Sequence, residues 1–263
     1  MKEEVFEHKG CPVHYWTGGP EGRPLVIFTH GATVDHHEWD ATLPLVAEHF
    51  RVLAWDMRAH GLSRPATFSI PEAVDDLIAL LDVVEVKQAI LVGHSLGGNL
   101  HQEVVFKHHE RVKAMFCLDC TWNFQKLTQF EEFMLGLAAP IFKIYPYQTL
   151  INQSLQATAV SKASQESLRP AVMLHNKEEF IQILMAGSVC LHYEPGYTIG
   201  KPLLLMVGDK DATGNIRKAM PAWAKVEPDC ELVIVPNAKH APNLDAPDVF
   251  HTCLMDFLMK KCQ

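Results

Sequence analysis

Nowhere in this chain do about 18 uncharged apolar residues run together, so no membrane-spanning helix is expected. Basic residues are in deficit: 23 Lys and Arg stand against 31 Asp and Glu, for a formal charge of −8, and no Lys/Arg cluster offers a local exception. That balance argues against nucleic acid as a partner and reads most simply as solubility. There is no low-complexity tract and no internal repeat. The opening residues, Met1-Lys2-Glu3-Glu4-Val5-Phe6-Glu7, are acidic and lack an apolar core, so they do not read as a signal peptide. The seven cysteines are odd in number and scattered, which points to reduced thiols in the cytoplasm rather than a disulfide framework. Cys117 and Cys120 form a C-x-x-C, but it adjoins the apolar run Ala114–Leu118 and reads as strand packing. His36-His37 and His108-His109 are adjacent pairs whose side chains would diverge on a helix, so no metal site is expected from them.

What is present is a rhythm of short apolar runs alternating with longer amphipathic ones, the pattern of βα units around a mostly parallel, doubly wound sheet. The strand candidates are Leu25–Thr29, Val52–Trp55, Ala89–Val92, Val112–Leu118, Pro202–Val207 and Glu231–Val235, apolar on both faces as strands covered on both sides must be. The first twenty residues, with His14-Tyr15-Trp16, read as an opening antiparallel pair ending at Gly18-Gly19-Pro20, for about eight strands in all. Val74, Leu77, Ile78 and Leu81 mark a helix starting near Pro71, and Val249, Phe250, Leu254, Phe257 and Leu258 mark the last one.

The rhythm breaks once. A βα unit needs about 30 residues, whereas 121–199 intervenes between the sixth strand and the next. Phe130, Phe133, Met134 and Leu137 fall at helical spacing there, as do Phe180, Ile183, Leu184 and Leu191, with Pro140, Pro146, Pro170 and Pro195 as breakers. This reads as a helical lid inserted into a core of residues 1–120 and 200–263. It would lie over the strand ends, where open parallel sheets bind ligands.

The chemistry starts at Gly93-His94-Ser95-Leu96-Gly97, between the apolar run Ala89–Val92 and a helical segment. A serine squeezed between strand and helix sits on a tight turn, and flanking glycines remove the Cβ atoms that would clash in it. Ser95 is therefore a candidate nucleophile. Its hydroxyl needs a base, and His240, on the loop after the last strand, is the best placed. The base needs an acid to hold its tautomer. Asp211 follows a strand directly; Asp209 reads as a turn former and Asp119 is the second competitor. Backbone N–H groups of Leu96 and Ala32 would form the oxyanion hole, with Gly31 allowing close approach of substrate and His30 fixing the loop.

Together these residues resemble the α/β-hydrolase superfamily, and the resemblance covers nearly the whole chain. It is carried by His30-Gly31, Asp56-Met57-Arg58-Ala59-His60-Gly61-Leu62-Ser63, Gly93–Gly97, Gly208–Asp211 and Lys239-His240-Ala241-Pro242-Asn243-Leu244, in the family's order Ser, Asp, His. The family usually has glycine where Ala59 stands and often where Lys239 stands. Asp56, Arg58 and His60 read as a loop brace. The resemblance implies a serine hydrolase acting on small carboxylic esters, with no metal or organic cofactor. The same triad could instead cleave C–C bonds, lactones or amides, or support perhydrolysis, and a hydrolase-like small-ligand receptor is the reading from another class. Dehalogenases and epoxide hydrolases resemble the chain but use aspartate at the position of Ser95. Trp122, Phe124, Phe133, Met134 and Met185 are the expected substrate contacts. No feature sets an oligomeric state.

Overall fold

The computed structural model describes residues 1–261. Its strands are β1 (Lys2–His8), β2 (Cys11–Gly18), β3 (Leu25–Thr29), β4 (Arg51–Trp55), β5 (Ala89–His94), β6 (Val112–Leu118), β7 (Leu203–Gly208) and β8 (Cys230–Val235). They form one sheet in the order β1-β2-β4-β3-β5-β6-β7-β8. β1 pairs antiparallel with β2, β2 pairs antiparallel with β4, and all later pairings are parallel. This is the mostly parallel α/β architecture expected from the alternation of runs.

The helices are α1 (Leu43–Val46), α2 (Ile70–Val83), α3 (Leu96–Lys107), α4 (Gln129–Ile144), α5 (Tyr147–Thr158), α6 (Lys162–Val172), α7 (Lys177–Val189), α8 (Ile216–Ala224), α9 (Pro242–Asp245) and α10 (Pro247–Lys261). None of the described helices is long and apolar enough to cross a membrane. The sheet has a core on each face because side chains alternate along a strand. Leu25, Ile27, Leu53 and Leu91 pack on one face with Leu77 and Leu80 of α2 and Trp223 of α8. Val26, Phe28, Val52 and Ile90 pack on the other with Phe250, Leu254 and Leu258 of α10. The central strands β3, β5 and β7 are buried throughout. β8 differs from expectation. It lies at the sheet edge, and Ile234 is 55% exposed.

Helix ends follow local chemistry. Ser69 caps α2 by accepting the N–H of Glu72, and Thr128 and Asn176 close reciprocal capping boxes with Glu131 and Glu179 on α4 and α7. Two of the four expected breakers do not break. Pro140 lies inside α4 and Pro170 inside α6, while Pro146 stands at the N-cap of α5 and Pro195 falls in a loop. Leu191 lies beyond the end of α7. The cysteines Cys11, Cys117, Cys120, Cys190, Cys230 and Cys253 are all unpaired; Cys262 lies outside the described residues.

The chain passes from β3 to β4 on one side of it and then to β5 on the other. Loops leaving the C-terminal ends of β3 and β5 therefore part, which opens a crevice at that point. Helix α3 approaches β3 so closely there that a Cβ on Gly97 would lie 2.4 Å from the Thr29 carbonyl oxygen. Gly97→Ala is accordingly expected to lower stability by about 1–3 kcal/mol through overpacking against backbone that cannot yield. Thermal denaturation checks it, and an unchanged Tm would contradict this account of the packing.

Candidate active site

Ser95 is the residue between β5 and α3, and its backbone is left-handed at φ 49°, ψ −116°. The turn closes only because Gly93 and Gly97 lack side chains: a Cβ on Gly93 would stand 2.7 Å from the Gly97 carbonyl carbon. The Ser95 N–H is anchored to the Leu118 carbonyl at 2.8 Å. Its Oγ lies 2.8 Å from His240 Nε2, on the loop between β8 and α9. The other imidazole nitrogen, Nδ1, lies 3.1 Å from Asp211 Oδ2. A carboxylate can only accept, so Nδ1 carries the proton and Nε2 presents its lone pair to the hydroxyl. Three strand ends, those of β5, β7 and β8, thus bring Ser95, Asp211 and His240 into one hydrogen-bonded line.

The competing acids lie apart in role. Asp209 accepts the Asn237 N–H at 2.7 Å and braces a turn. Asp119 is fully buried at the end of β6, accepts the Gly208 N–H at 3.1 Å, and makes its side-chain hydrogen bond to Asp211. Burial, reinforced by the Asp211 charge, raises its pKa well above the carboxylate range. Burial opposes the charge on Asp211 too, but the charge and hydrogen bond of His240 outweigh it and pull its pKa down to about 2. Of two adjacent carboxyls, the one facing His240 is the ionised one.

The loop after β3 brings Ala32 beside the serine. Its neighbours donate elsewhere: the Gly31 N–H goes to Glu38 Oε2 at 2.9 Å and the Thr33 N–H to His60 Nε2 at 3.1 Å. Leu96, first residue of α3, has an N–H without an intrahelical acceptor, as every helix start does. His30 braces the loop, donating to the Gly31 carbonyl and accepting the Met57 N–H. Asp56 accepts the His36 and Leu62 N–H groups, whereas Arg58 reaches away to Asp76 on α2. Ala59 has φ 65°, which explains why glycine is the easier residue there.

A cavity of about 790 Å³ opens on Ser95 and His240. Its walls come from both sides, with Ala32, Val34 and Leu96 below and residues of α4, α5, α6 and α7 above, among them Phe142, Leu155 and Phe180. Met134 and Met185 line it as expected. Trp122, Phe124 and Phe133 are not among its lining residues and correct the expectation. Phe124 is buried against Phe106 and Tyr197, Trp122 packs on the core, and Phe133 is 61% exposed. The divergence expected of His36 and His37 is also corrected. They lie on a 3-10 turn with ring centroids 4.1 Å apart, Trp16 stacking on His36, and each Nδ1 engaged by a carboxylate, Asp56 or Asp40. Asp35, His36 and His37 bring one ligand atom each within 4.8 Å of one another. Glu38 and His94 are buried beside Gly31 and Ser95; His94 lies inside the pentapeptide, and no local pattern marks Glu38.

With this fold and this constellation, the chain falls among enzymes that hydrolyse at the strand ends of an α/β sheet. Residues 26–252 match the Alpha/beta hydrolase family, and the chain belongs to that family. It is 24% identical over 250 residues to the 2-(acetamidomethylene)succinate hydrolase of Mesorhizobium japonicum, over 89% of this chain and 88% of that protein. It is 26% identical over 258 residues to the pimeloyl-(acyl-carrier protein) methyl ester esterase of Nitrosospira multiformis, over 90% and 95%. Among solved structures, the enol-lactonase from Burkholderia xenovorans aligns at a TM-score of 0.80 and 18% identity, over 98% of this chain and 100% of that one. At that identity the likeness is one of fold.

Several buried histidines around the site are held neutral. His30 and His60 each accept a backbone N–H at Nε2 and donate at Nδ1, and burial lowers both pKa values. Burial alone pushes His101 down to about 3, and burial with the Arg64 charge pushes His175 down to about 4. An unfolded imidazole titrates near ~6.5. Below that pH the unfolded chain binds protons that these native histidines refuse, so their contribution to stability falls as pH drops. His94 and His37, with raised values, act in the opposite sense, their contribution being lost as pH rises. Five depressed histidines, His251 included, against two raised ones predict a Tm that declines between pH 7 and pH 4.5, with a shallower decline in His60→Gln. A Tm independent of pH over that range would contradict the assignment of neutral tautomers.

Proposed function

We propose that the chain is a serine hydrolase of small carboxylic esters with an apolar acyl group. The observation that carries this is the Ser95–His240–Asp211 line at the mouth of an apolar cavity. Residues 1–120 and 200–263 form the hydrolase core in this reading, and 121–199 form a helical cap that supplies the upper cavity wall. The Nitrosospira relative, an ester hydrolase by name, supports the ester class for the chain's substrate.

The reaction follows from the geometry. Ser95 Oγ attacks the acyl carbon while His240 Nε2 takes its proton, and Asp211 stabilises the imidazolium that results. The Leu96 and Ala32 N–H groups receive the oxygen as it gains charge; removing such a donor costs on the order of 3 kcal/mol of barrier. His240 then protonates the leaving alcohol, and afterwards activates water against the acyl-enzyme. Each proton is passed through one imidazole, so neither a metal nor an organic cofactor is required.

Ser95→Ala is expected to fold normally, to lose hydrolysis of p-nitrophenyl esters and to escape labelling by a fluorophosphonate; retained turnover would sink the assignment. The two buried carboxyls separate cleanly. Asp211→Asn should reduce kcat about 10⁴-fold, whereas Asp119→Asn, an amide in place of a protonated acid, should stay within about tenfold of the parent. The reverse ranking would make Asp119 the acid. The cavity adds a third expectation. Between acetate and hexanoate esters, kcat/KM should rise by up to about fourfold per methylene, the value of burying one CH₂ at ~0.8 kcal/mol. A series independent of chain length, alongside strong turnover of lactones or diketones, would move the substrate class.

A further inference from the structure

A buried ion pair lies between the oxyanion loop and the base, and the proposed reaction does not consume it. Glu38 is on the 3-10 turn His36–Trp39, His94 is the last residue of β5, and they are 5% and 3% exposed. His94 Nδ1 stands 2.6 Å from Glu38 Oε1, an ion-pair contact rather than an aligned hydrogen bond. From this pair, contacts run to the loops after β3 and β8 and to the start of α9. Glu38 Oε2 accepts the Gly31 N–H at 2.9 Å, next to Ala32. Glu38 Oε1 accepts from Asn243 Nδ2 at 3.3 Å, on α9 just past His240. His94 Nε2–H donates to the His240 carbonyl at 2.7 Å, and its neighbour in the chain is Ser95. The fit is close enough to dictate Gly31, where a Cβ would lie 2.8 Å from His94 Nδ1.

We propose that Glu38 and His94 are a positioning pair that holds the Ala32 N–H and the His240 imidazole in register with Ser95. The proposal rests on the roles given to Ser95, Ala32 and His240 above. The oxyanion donor and the base sit on separate loops, after β3 and after β8, and no backbone pairing joins those strands. Both must keep their distance from one serine oxygen to within about 0.5 Å. A carboxylate and an imidazole that span the gap supply that constraint. His94 donates from Nε2 to the His240 carbonyl and faces the Glu38 carboxylate at Nδ1, and a ring protonated at both nitrogens is the form that suits a carbonyl on one side and a negative charge on the other. The charged and titratable groups around it are Glu38, Asp211, His240 and His30. Burial opposes both charges, but each partner's charge prevails, so His94 titrates above its ordinary value and Glu38 below its own.

The test compares Glu38→Ala and Glu38→Gln with the parent protein. Glu38→Ala should lower kcat for a p-nitrophenyl ester about 100-fold, the effect of a misplaced catalytic group, with KM within about threefold. Glu38→Gln, whose amide oxygen still accepts the Gly31 N–H, should recover about a tenth of parental kcat. The rate of Ser95 labelling by a fluorophosphonate should fall in parallel, which keeps the comparison independent of the ester chosen. Histidine ¹⁵N spectra in the Ser95→Ala background should show His94 doubly protonated at pH 7.5, and neutral once Glu38→Gln is added. Parental kcat and labelling rate in a folded Glu38→Ala protein would overturn the proposal, as would a neutral His94 at pH 7.5 in the parent. Absence of both ester turnover and Ser95 labelling in the parent would instead bring down the hydrolase reading, while the spectra still decide the ion pair.

Discussion

The left-handed backbone of Ser95 is the constraint on which the site depends. A non-glycine residue at φ 49° stores about 1–3 kcal/mol, and it persists only where its surroundings leave no alternative. Here β5 is paired on both edges, α3 starts at the next residue, and Gly97 is in contact with the Thr29 carbonyl. Any relaxation of Ser95 would drive α3 into β3 or peel the Ser95 N–H from Leu118. The strain is held by the sheet. In return, the Oγ reaches His240 Nε2 at 2.8 Å.

Buried carboxylates are each met by a partner. Asp211 faces His240 and Glu38 faces His94 beside the serine, and farther away Asp76 faces Arg58. A buried charge without a partner would neutralise itself, and Asp119 does so beside Asp211. The histidines explain their own abundance by the same reasoning. His30 and His60 are neutral braces that accept backbone N–H groups of the very loops that shape the oxyanion side.

How much of this could be read beforehand depended on the range of the interaction. Ser95, Asp211 and His240 each follow an apolar run, and their order along the chain matches a known family, so local pattern sufficed. Five of the six parallel-sheet strands were legible for the same reason, since burial on both faces leaves an unbroken apolar run; β8 is as apolar but lies at the edge, partly exposed. The cavity lining was not. Phe133 and Met134 are adjacent on α4 and equally apolar, yet one residue turns a helix by about 100°, so only Met134 reaches the cavity. Pro140 and Pro170 looked like breakers but are held within helices α4 and α6, where surrounding structure overrides local preference.

Sequence by itself determined the fold class and the positions of Ser95, Asp211 and His240 just after apolar strands, and marked where the alternation of strands and helices is interrupted. These follow from periodicity and from residues whose chemistry is rare and position-specific. Tertiary structure alone decided which carboxyl faces His240, which aromatic residues line the cavity, and that Glu38 meets His94. The polar contacts among them span 2.6–3.1 Å between residues far apart in the chain, and no local pattern encodes where a chain folded back on itself brings such groups together.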